Sequence, residues 1–211
     1  MVAVWLYHNG MPRPVDHDQR RTQIARAFQR LLAAEGFAAV SFAKVAAEAG
    51  VSVGLIQHYF LGKDVLLRYA YDDAVARLGD RVLARVREGE AAGLPVAEVL
   101  LNSLVELLPL DQERDLEYRV RQGLQAQALH NAGLADVARR SGRGLLEYVT
   151  TAVEDGRTRG EVAPGVDAGV AARMILATVQ GLADQLSLAA GFPAREVLRQ
   201  AIAAVFDTVT V

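Results

Sequence analysis

A short helix predicted between residues 53 and 59 carries side chains suited to hydrogen bonding and apolar contact with a partner. Ile56 and Phe60 are four residues apart, so they share the face of this helix that packs inward. The side chains left on the outward face are Val53, Leu55, Gln57 and His58. An amide such as that of Gln57 can form two hydrogen bonds with an adenine edge, and an apolar side chain can contact a thymine methyl group. The pattern indicates a helix that reads base-pair edges, and we call residues 53–59 the reading helix.

The residues before the reading helix predict how it is held. Gly50 can adopt the left-handed conformation that ends a helix, and Ser52 can cap the amide groups of the turn that follows. Val51 is an apolar residue expected to pack between the two helices. Ser41 caps the preceding short helix, whose inward-facing residues are Phe42, Val45, Ala46 and Ala49. The segment therefore predicts two short helices joined by a tight turn.

Helical periodicity recurs along the rest of the chain, and no segment shows the alternation of a convincing strand. A first amphipathic helix is predicted from about Arg20 to Gly36, and a longer fourth helix from Lys63 to about Gly89. Glycine and proline divide the remainder into helices at about 96–108, 112–130, 134–159, 167–190 and 194–208. The predicted fold is all-α, with an N-terminal three-helix unit followed by a helical bundle.

Composition excludes several classes of protein. The chain has 211 residues, 52% of them hydrophobic, and a net charge of −2, which is typical of a globular protein. The absence of cysteine excludes disulfides, thiolate catalysis and cysteine-based zinc sites. The four histidines are scattered, and the sequence contains no HExxH, no GxSxG and no glycine-rich phosphate loop. We therefore predict no enzyme activity, no metal and no cofactor.

No stretch approaches the length of a membrane span, and no basic residue precedes the short apolar run at 2–7, as it would in a signal peptide. We therefore expect no membrane association and a cytoplasmic location. Because Met11 offers a second start, residues 1–10 are interpreted as an upstream extension or a flexible arm.

Charge is distributed unevenly along the chain. Residues 1–62 hold six Lys or Arg against four Asp or Glu, whereas the rest of the chain holds 17 against 21. The reading helix thus lies in the basic part, as contact with phosphates would require, although a surface of mixed charge explains the same numbers.

The segment from Arg20 to about Leu67 resembles the DNA-binding domain of TetR-type (tetracycline-repressor-like) transcriptional regulators. The resemblance rests on a first helix ending in EGF, on VSFAKVAAEAGVS, and on GLIQHYF followed by GKDVLL. It implies a bacterial, nucleoid-associated homodimer whose helix-turn-helix domain binds a palindromic operator in double-stranded DNA. The implied division is a flexible arm at 1–19, the DNA-binding domain at 20–66, and a domain for effector binding and dimerisation at 67–211.

The resemblance also assigns residues to the two parts of a DNA contact. It places on the major-groove side Val53, Gly54, Leu55, Gln57 and His58. It places near phosphates Ser41, Tyr59 and Lys63, and Ser52 caps the helix between them. Family members often have Lys, Thr and Tyr at the positions of Val53, Leu55 and Gln57, which implies a different operator here. Two alternatives stay open: that His58 is a partly exposed polar residue, and that Tyr59 packs against the first helix.

Polar residues that interrupt the apolar faces of the middle helices are the candidate effector contacts. They are Asn102, Tyr118, Gln122, Gln125, Tyr148 and Gln180. The alternative for each is a satisfied surface or interface group. The LLPLDQER turn looks similar to a branch that includes betaine-pathway repressors, but a quaternary ammonium needs several aromatic faces, and only Tyr118 and Tyr148 lie on these helices. We predict a mainly apolar small-molecule effector; the alternative is an architectural DNA-binding protein without one.

The last two predicted helices carry more apolar surface than one bundle can cover. The residues that form this excess surface are Met174, Thr178, Leu182, Ala201 and Val205. They predict a four-helix dimer interface made of this helix pair from two subunits. The alternative is that both apolar faces are buried within one chain.

Overall fold

The computed structural model describes residues 15–188 and 191–206. Within those residues the chain forms nine α-helices, one 3₁₀ turn at Val105–Leu107 and no strand. The helices are α1 Val15–Glu35, α2 Phe42–Ala49, α3 Val53–Tyr59, α4 Lys63–Ala91, α5 Val96–Leu104, α6 Gln112–Ala128, α7 Ala132–Thr158, α8 Ala168–Leu188 and α9 Ala194–Phe206. The all-α prediction is confirmed.

Two helix boundaries differ from those expected by four residues or more. α1 begins at Val15, so residues 15–19, which were assigned to the flexible arm, are helical. The remainder of the proposed arm, residues 1–14, lies outside the described residues. The helix expected at 96–108 ends at Leu104 and continues as the 3₁₀ turn, and Leu108 has extended dihedrals of φ −86° and ψ 138°. Leu108 precedes Pro109, and a residue before proline is disfavoured in the α conformation, which explains the early end.

The chain divides into two compact units. The first contains residues up to 77 together with 116–140, and the second contains 78–115 together with residues from 141 onward. The first half of α4 therefore belongs to the first unit and the second half to the second unit. Most of α6 belongs to the first unit, together with α1, α2 and α3. The functional division at residue 66 stays a prediction.

The core of the first unit joins α1 and α6 to the short helices. Its fully buried apolar side chains include Ile24, Phe28, Val45, Ile56, Phe60, Leu66, Val120 and Leu124. Gly123 allows α6 to approach α1, because a Cβ at that position would lie 3.1 Å from a methyl carbon of Leu32. A side chain at Gly123 would require the Leu32 side chain to shift by a few tenths of an ångström.

A buried polar network crosses this core. The Gln29 side chain is fully buried, and its amide nitrogen donates to the Ala70 carbonyl at 2.6 Å and to the Asp73 carboxylate at 3.1 Å. The Arg77 guanidinium donates to Asp73, to Gln29 at 3.2 Å and to Glu117 at 3.2 Å. Glu117 and Arg121 are four residues apart on α6, a spacing typical of an ion pair on the surface of a helix, but Glu117 does not lie on the surface. Glu117 is 7% exposed because this side of α6 faces α4.

The second unit is held by apolar packing and by one long-range helix cap. Its core includes Leu100, Leu104, Leu108, Val149, Ile175 and Leu198. Pro95 precedes α5 and offers no side-chain cap, but the Glu161 carboxylate accepts from the amides of Val96 at 2.8 Å and Ala97 at 3.4 Å. A carboxylate at a helix N-terminus also interacts favourably with the helix dipole.

No helix in the described part of the chain has the length and apolar character needed to cross a membrane. The same residues contain no group of three or more His, Cys, Asp or Glu arranged to hold a metal ion.

Candidate nucleic-acid interface

The turn between α2 and α3 has the capped geometry predicted for it. The Ser41 hydroxyl accepts from the Lys44 amide at 3.3 Å, and Gly50 has left-handed dihedrals of φ 66° and ψ 37°. The Val51 amide then donates to the Ala46 carbonyl at 3.0 Å, and the Ser52 hydroxyl accepts from the Leu55 amide at 3.2 Å. These hydrogen bonds fix the direction in which α3 leaves the turn.

The two faces of α3 are also as predicted. Ile56 and the following Phe60 are fully buried. The exposed residues are Val53, Gly54, Gln57 and His58, and Leu55 is half-buried. The reading helix therefore presents an amide, an imidazole and two apolar side chains outward from a fixed backbone. Their contact with bases stays a prediction.

The Tyr59 ring packs between two histidines at the end of α3. Its centroid lies 5.2 Å from that of His58 and 5.5 Å from that of His17 on α1, both in edge-on geometry. Packing against the first helix, one of the two alternatives for Tyr59, is therefore present. Contact with a phosphate stays a prediction for this half-buried side chain.

The Lys63 ammonium is held at the first residue of α4. Its Nζ lies 4.2 Å from the centroid of the Phe37 ring, within the range of a cation–π interaction. Partial burial lowers the pKa of Lys63 below its usual value, and the neighbouring Asp64 carboxylate opposes this shift. Lys44, the other lysine, pairs with Glu35 at 2.5 Å.

Sequence reasoning missed a third cation in this region. Arg21 lies on α1, and its guanidinium carbon is 4.4 Å from the centroid of Tyr69 and 5.5 Å from that of Phe60. The sequence does contain a feature that could have drawn attention to Arg21. It lies four residues after His17, so the two side chains share one face of α1.

Three candidate effector contacts lie on α6, in the first unit. Tyr118 is buried, and its hydroxyl accepts from the Gln122 amide at 2.7 Å. The Arg121 guanidinium carbon lies 5.5 Å from the Tyr118 ring centroid. Gln125 is exposed. The polar atoms of Tyr118 and Gln122 are thus paired within α6.

The other three candidate contacts lie in the second unit, and each has a hydrogen bond within it. Asn102 accepts from Arg195 at 2.6 Å, and the Gln180 amide donates to Asp184 at 2.7 Å. The Tyr148 hydroxyl lies 2.7 Å from that of Ser103, and burial raises the pKa of Tyr148. Ser103 in turn donates to the Leu100 carbonyl at 2.8 Å, so Tyr148 is the donor to Ser103.

The five candidate dimer residues differ in exposure. Met174 is 62% exposed, whereas Leu182 and Val205 are buried within the single chain. Thr178 and Ala201 are half-buried, and the Thr178 hydroxyl donates a hydrogen bond to the Met174 carbonyl at 3.0 Å. Two further apolar residues of these helices, not among the five candidates, are exposed: Val170 on α8 and Val197 on α9. Val170 lies four residues before Met174, so both are on one helix face.

Two family models match the chain. One, described as the C-terminal part of BetI-type transcriptional repressors, matches residues 96–210. The other, described as bacterial regulatory proteins of the tetR family, matches residues 24–70. Together they cover most of the chain, and the first alone covers more than half of it.

Curated relatives are transcriptional regulators. The chain is 32% identical over 128 residues to PksA of Bacillus subtilis, a match covering 61% of this chain and 60% of PksA. It is 23% identical over 162 residues to UidR of Escherichia coli K12, covering 77% of this chain and 79% of UidR. The match thus spans about three fifths of PksA and about four fifths of UidR.

Solved structures of similar fold are also transcriptional regulators. One from Rhodococcus sp. Rha1 has a TM-score of 0.75 and 28% identity, covering 90% of this chain and 98% of that one. Another, from Saccharomonospora viridis and in complex with choline, has a TM-score of 0.78 and 21% identity, covering 90% and 97%. At that identity the second likeness concerns the fold alone.

Proposed function

Since this chain belongs to the TetR family of bacterial transcriptional regulators, and so is a regulator and not an enzyme, we propose that it is a ligand-responsive repressor. It binds a palindromic operator as a homodimer and leaves the operator when a small, mainly apolar effector binds. It acts in the bacterial cytoplasm, on the nucleoid. The observation that carries the proposal is the capped turn that directs the exposed face of α3 outward.

In this proposal α3 enters the major groove. Gln57 bonds an adenine edge, His58 bonds a neighbouring base, and Val53 and Leu55 contact thymine methyl groups. Ser41, Tyr59 and Lys63 border the groove and contact phosphates, and Ser52 caps the helix between them. Support comes from the exposure of Val53, Gln57 and His58 and from the ring contact that holds Lys63 in place.

The proposed dimer joins α8 and α9 of two subunits. Support comes from Val170, Met174 and Val197, which are each more than 40% exposed although apolar. Thr178 and Ala201 are half-buried and follow Met174 and Val197 by four residues, so they share the same helix faces, whereas Leu182 and Val205 are buried within the chain. To occupy two adjacent half-sites, the two reading helices of such a dimer would have to lie about 34 Å apart, one helical turn of DNA.

Effector binding is assigned to the helices after α4. An apolar effector is favoured because the buried residues of α5 and α7 are mostly Leu and Val. A quaternary ammonium is less favoured, because the guanidinium of Arg121 lies against Tyr118 and the Tyr148 hydroxyl is bonded to Ser103. The pairing of Asn102, Gln122 and Gln180 within the chain favours the alternative, a DNA-binding protein without an effector.

The coupling between effector and operator is assigned to α4, which runs without interruption from Lys63 to Ala91. An effector that tilts α4 would change the separation of the two reading helices, so that both half-sites lose contact together. By linkage, the effector must weaken operator binding by the same factor by which the operator weakens effector binding.

The test is to select bound fragments from the genome of the source organism, define the operator by footprinting, and screen hydrophobic metabolites by thermal shift. Any stabilising compound is then titrated against the protein–operator complex. The proposal expects release of the operator. A compound that stabilises the protein but leaves operator affinity unchanged would contradict the coupling, and failure to enrich any fragment would contradict the repressor.

A further inference from the structure

α1 carries a row of side chains that lies against the end of the reading helix. His17 and Arg21 are four residues apart and so share one helix face. The His17 ring contacts Tyr59, and the Arg21 guanidinium lies over Tyr69 and beside Phe60. This face of α1 is therefore adjacent to the last residue of α3.

Among the described residues, the Arg21 guanidinium has no polar partner. No hydrogen bond or ion pair joins it to another residue in the part of the chain that the structure describes, and its Nε is buried without a partner. The two terminal nitrogens of the guanidinium are not buried, so their N–H groups can reach a partner outside the chain. By contrast, Arg30 on the same helix pairs with Glu48 at 2.7 Å, and Lys44 pairs with Glu35.

Aromatic stacking explains how an unpaired cation can have a defined position. A guanidinium over an aromatic face is attracted to the ring and keeps its edge, with the N–H donors, available. Two adjacent rings, Tyr69 and Phe60, hold Arg21 in this way. A guanidinium so fixed, with unused donors, is suited to bind a phosphate.

We propose that Arg21 binds a phosphate of the DNA strand that borders the reading helix. The inference rests on the proposed function, in which α3 lies in the major groove. That groove is about 12 Å wide, and a helix with its side chains has a diameter of about 10–12 Å, so the sugar-phosphate strands lie directly beside α3. Arg21 precedes residues 24–70, which match the DNA-binding family model.

The test uses Arg21→Met, which keeps an unbranched apolar side chain over the rings and removes the charge. Affinity for a random-sequence duplex several helical turns long is measured between about 50 and 200 mM salt. Each phosphate contact contributes about 0.9 to the slope of log K against log salt, so the variant dimer should lose about 2 from that slope. The ratio of operator to random-sequence affinity should not change, because a phosphate contact carries no base information.

The matched control is Arg26→Met, which removes the same charge from an exposed position about 140° around α1. Its salt slope should equal that of the wild type. If Arg21→Met does not fold, Arg21→Gln replaces it, and the far-ultraviolet circular dichroism of each variant verifies the fold.

An unchanged slope in folded Arg21→Met or Arg21→Gln would overturn the assignment, whether or not the variant melts at a lower temperature, since a packing role alone affects only the melting. A slope that falls equally in Arg26→Met would overturn it too, because the effect would then be one of net charge. A wild type that binds no duplex would overturn the proposed function as well.

Discussion

Replacing Arg77 with methionine should destabilise the first unit by about 3–5 kcal/mol, the usual cost of removing one partner from a buried ion pair. The Arg77 side chain is 20% exposed, and it contacts the carboxylates of Asp73 and Glu117, which are 15% and 8% exposed. It also donates to Gln29. The substitution leaves two carboxylates close together with little access to water. Because whole domains are stable by only about 5–15 kcal/mol, the loss is a large share of the total.

The assay is urea unfolding followed by circular dichroism, with a lower midpoint and an unchanged dependence on urea expected. Arg68→Met is the matched control. Arg68 lies on the same helix, is 57% exposed and pairs with the exposed Asp72 at 4.0 Å, so its loss should cost less than about 1 kcal/mol. If Arg77→Met lowers the free energy of unfolding no more than Arg68→Met does, the ion pairs of Arg77 are no stronger than an exposed pair. The argument from burial is then refuted.

Two further substitutions test the second unit. Met174→Glu places a charge on the exposed apolar face of α8 and should yield monomers in sedimentation velocity, since an unpaired charge is costly in a dry interface; a dimer of unchanged strength would locate the interface elsewhere. Glu161→Ala leaves the amides of Val96 and Ala97 without their cap and should lower the free energy of unfolding by about 1.5–3 kcal/mol, the range for hydrogen bonds to a charged group. Glu154→Ala, at an exposed position on α7, is the control, and an equal loss in the two variants would reject the cap.

The segment from Ser41 to Phe60 could be predicted from sequence because its structure depends on neighbours in the chain. The Ser41 and Ser52 caps, the left-handed Gly50 and the four-residue spacing of Ile56 and Phe60 are each set within one helical turn. The start of α1 was placed five residues late because no capping residue marks it.

Features that depend on distant residues could not be predicted in this way. Glu117 has an ordinary surface spacing to Arg121, yet α6 turns it towards Arg77, which lies 40 residues earlier in the chain. Leu182 and Met174 are both apolar residues of α8, and only packing within the chain buries one and exposes the other. The Arg21 stacking needs Tyr69 from α4, which the helical pattern of α1 does not reveal.

The most direct test of sequence-selective DNA binding by α3 is the affinity of the wild type and Gln57→Ala for the selected operator and for a scrambled duplex, measured at one salt concentration. If Gln57 reads a base, the variant should bind the operator more weakly by about 1–3 kcal/mol per contacted base pair and should bind the scrambled duplex as the wild type does. An equal loss on both duplexes, or no loss on either, would contradict the reading of bases by this helix.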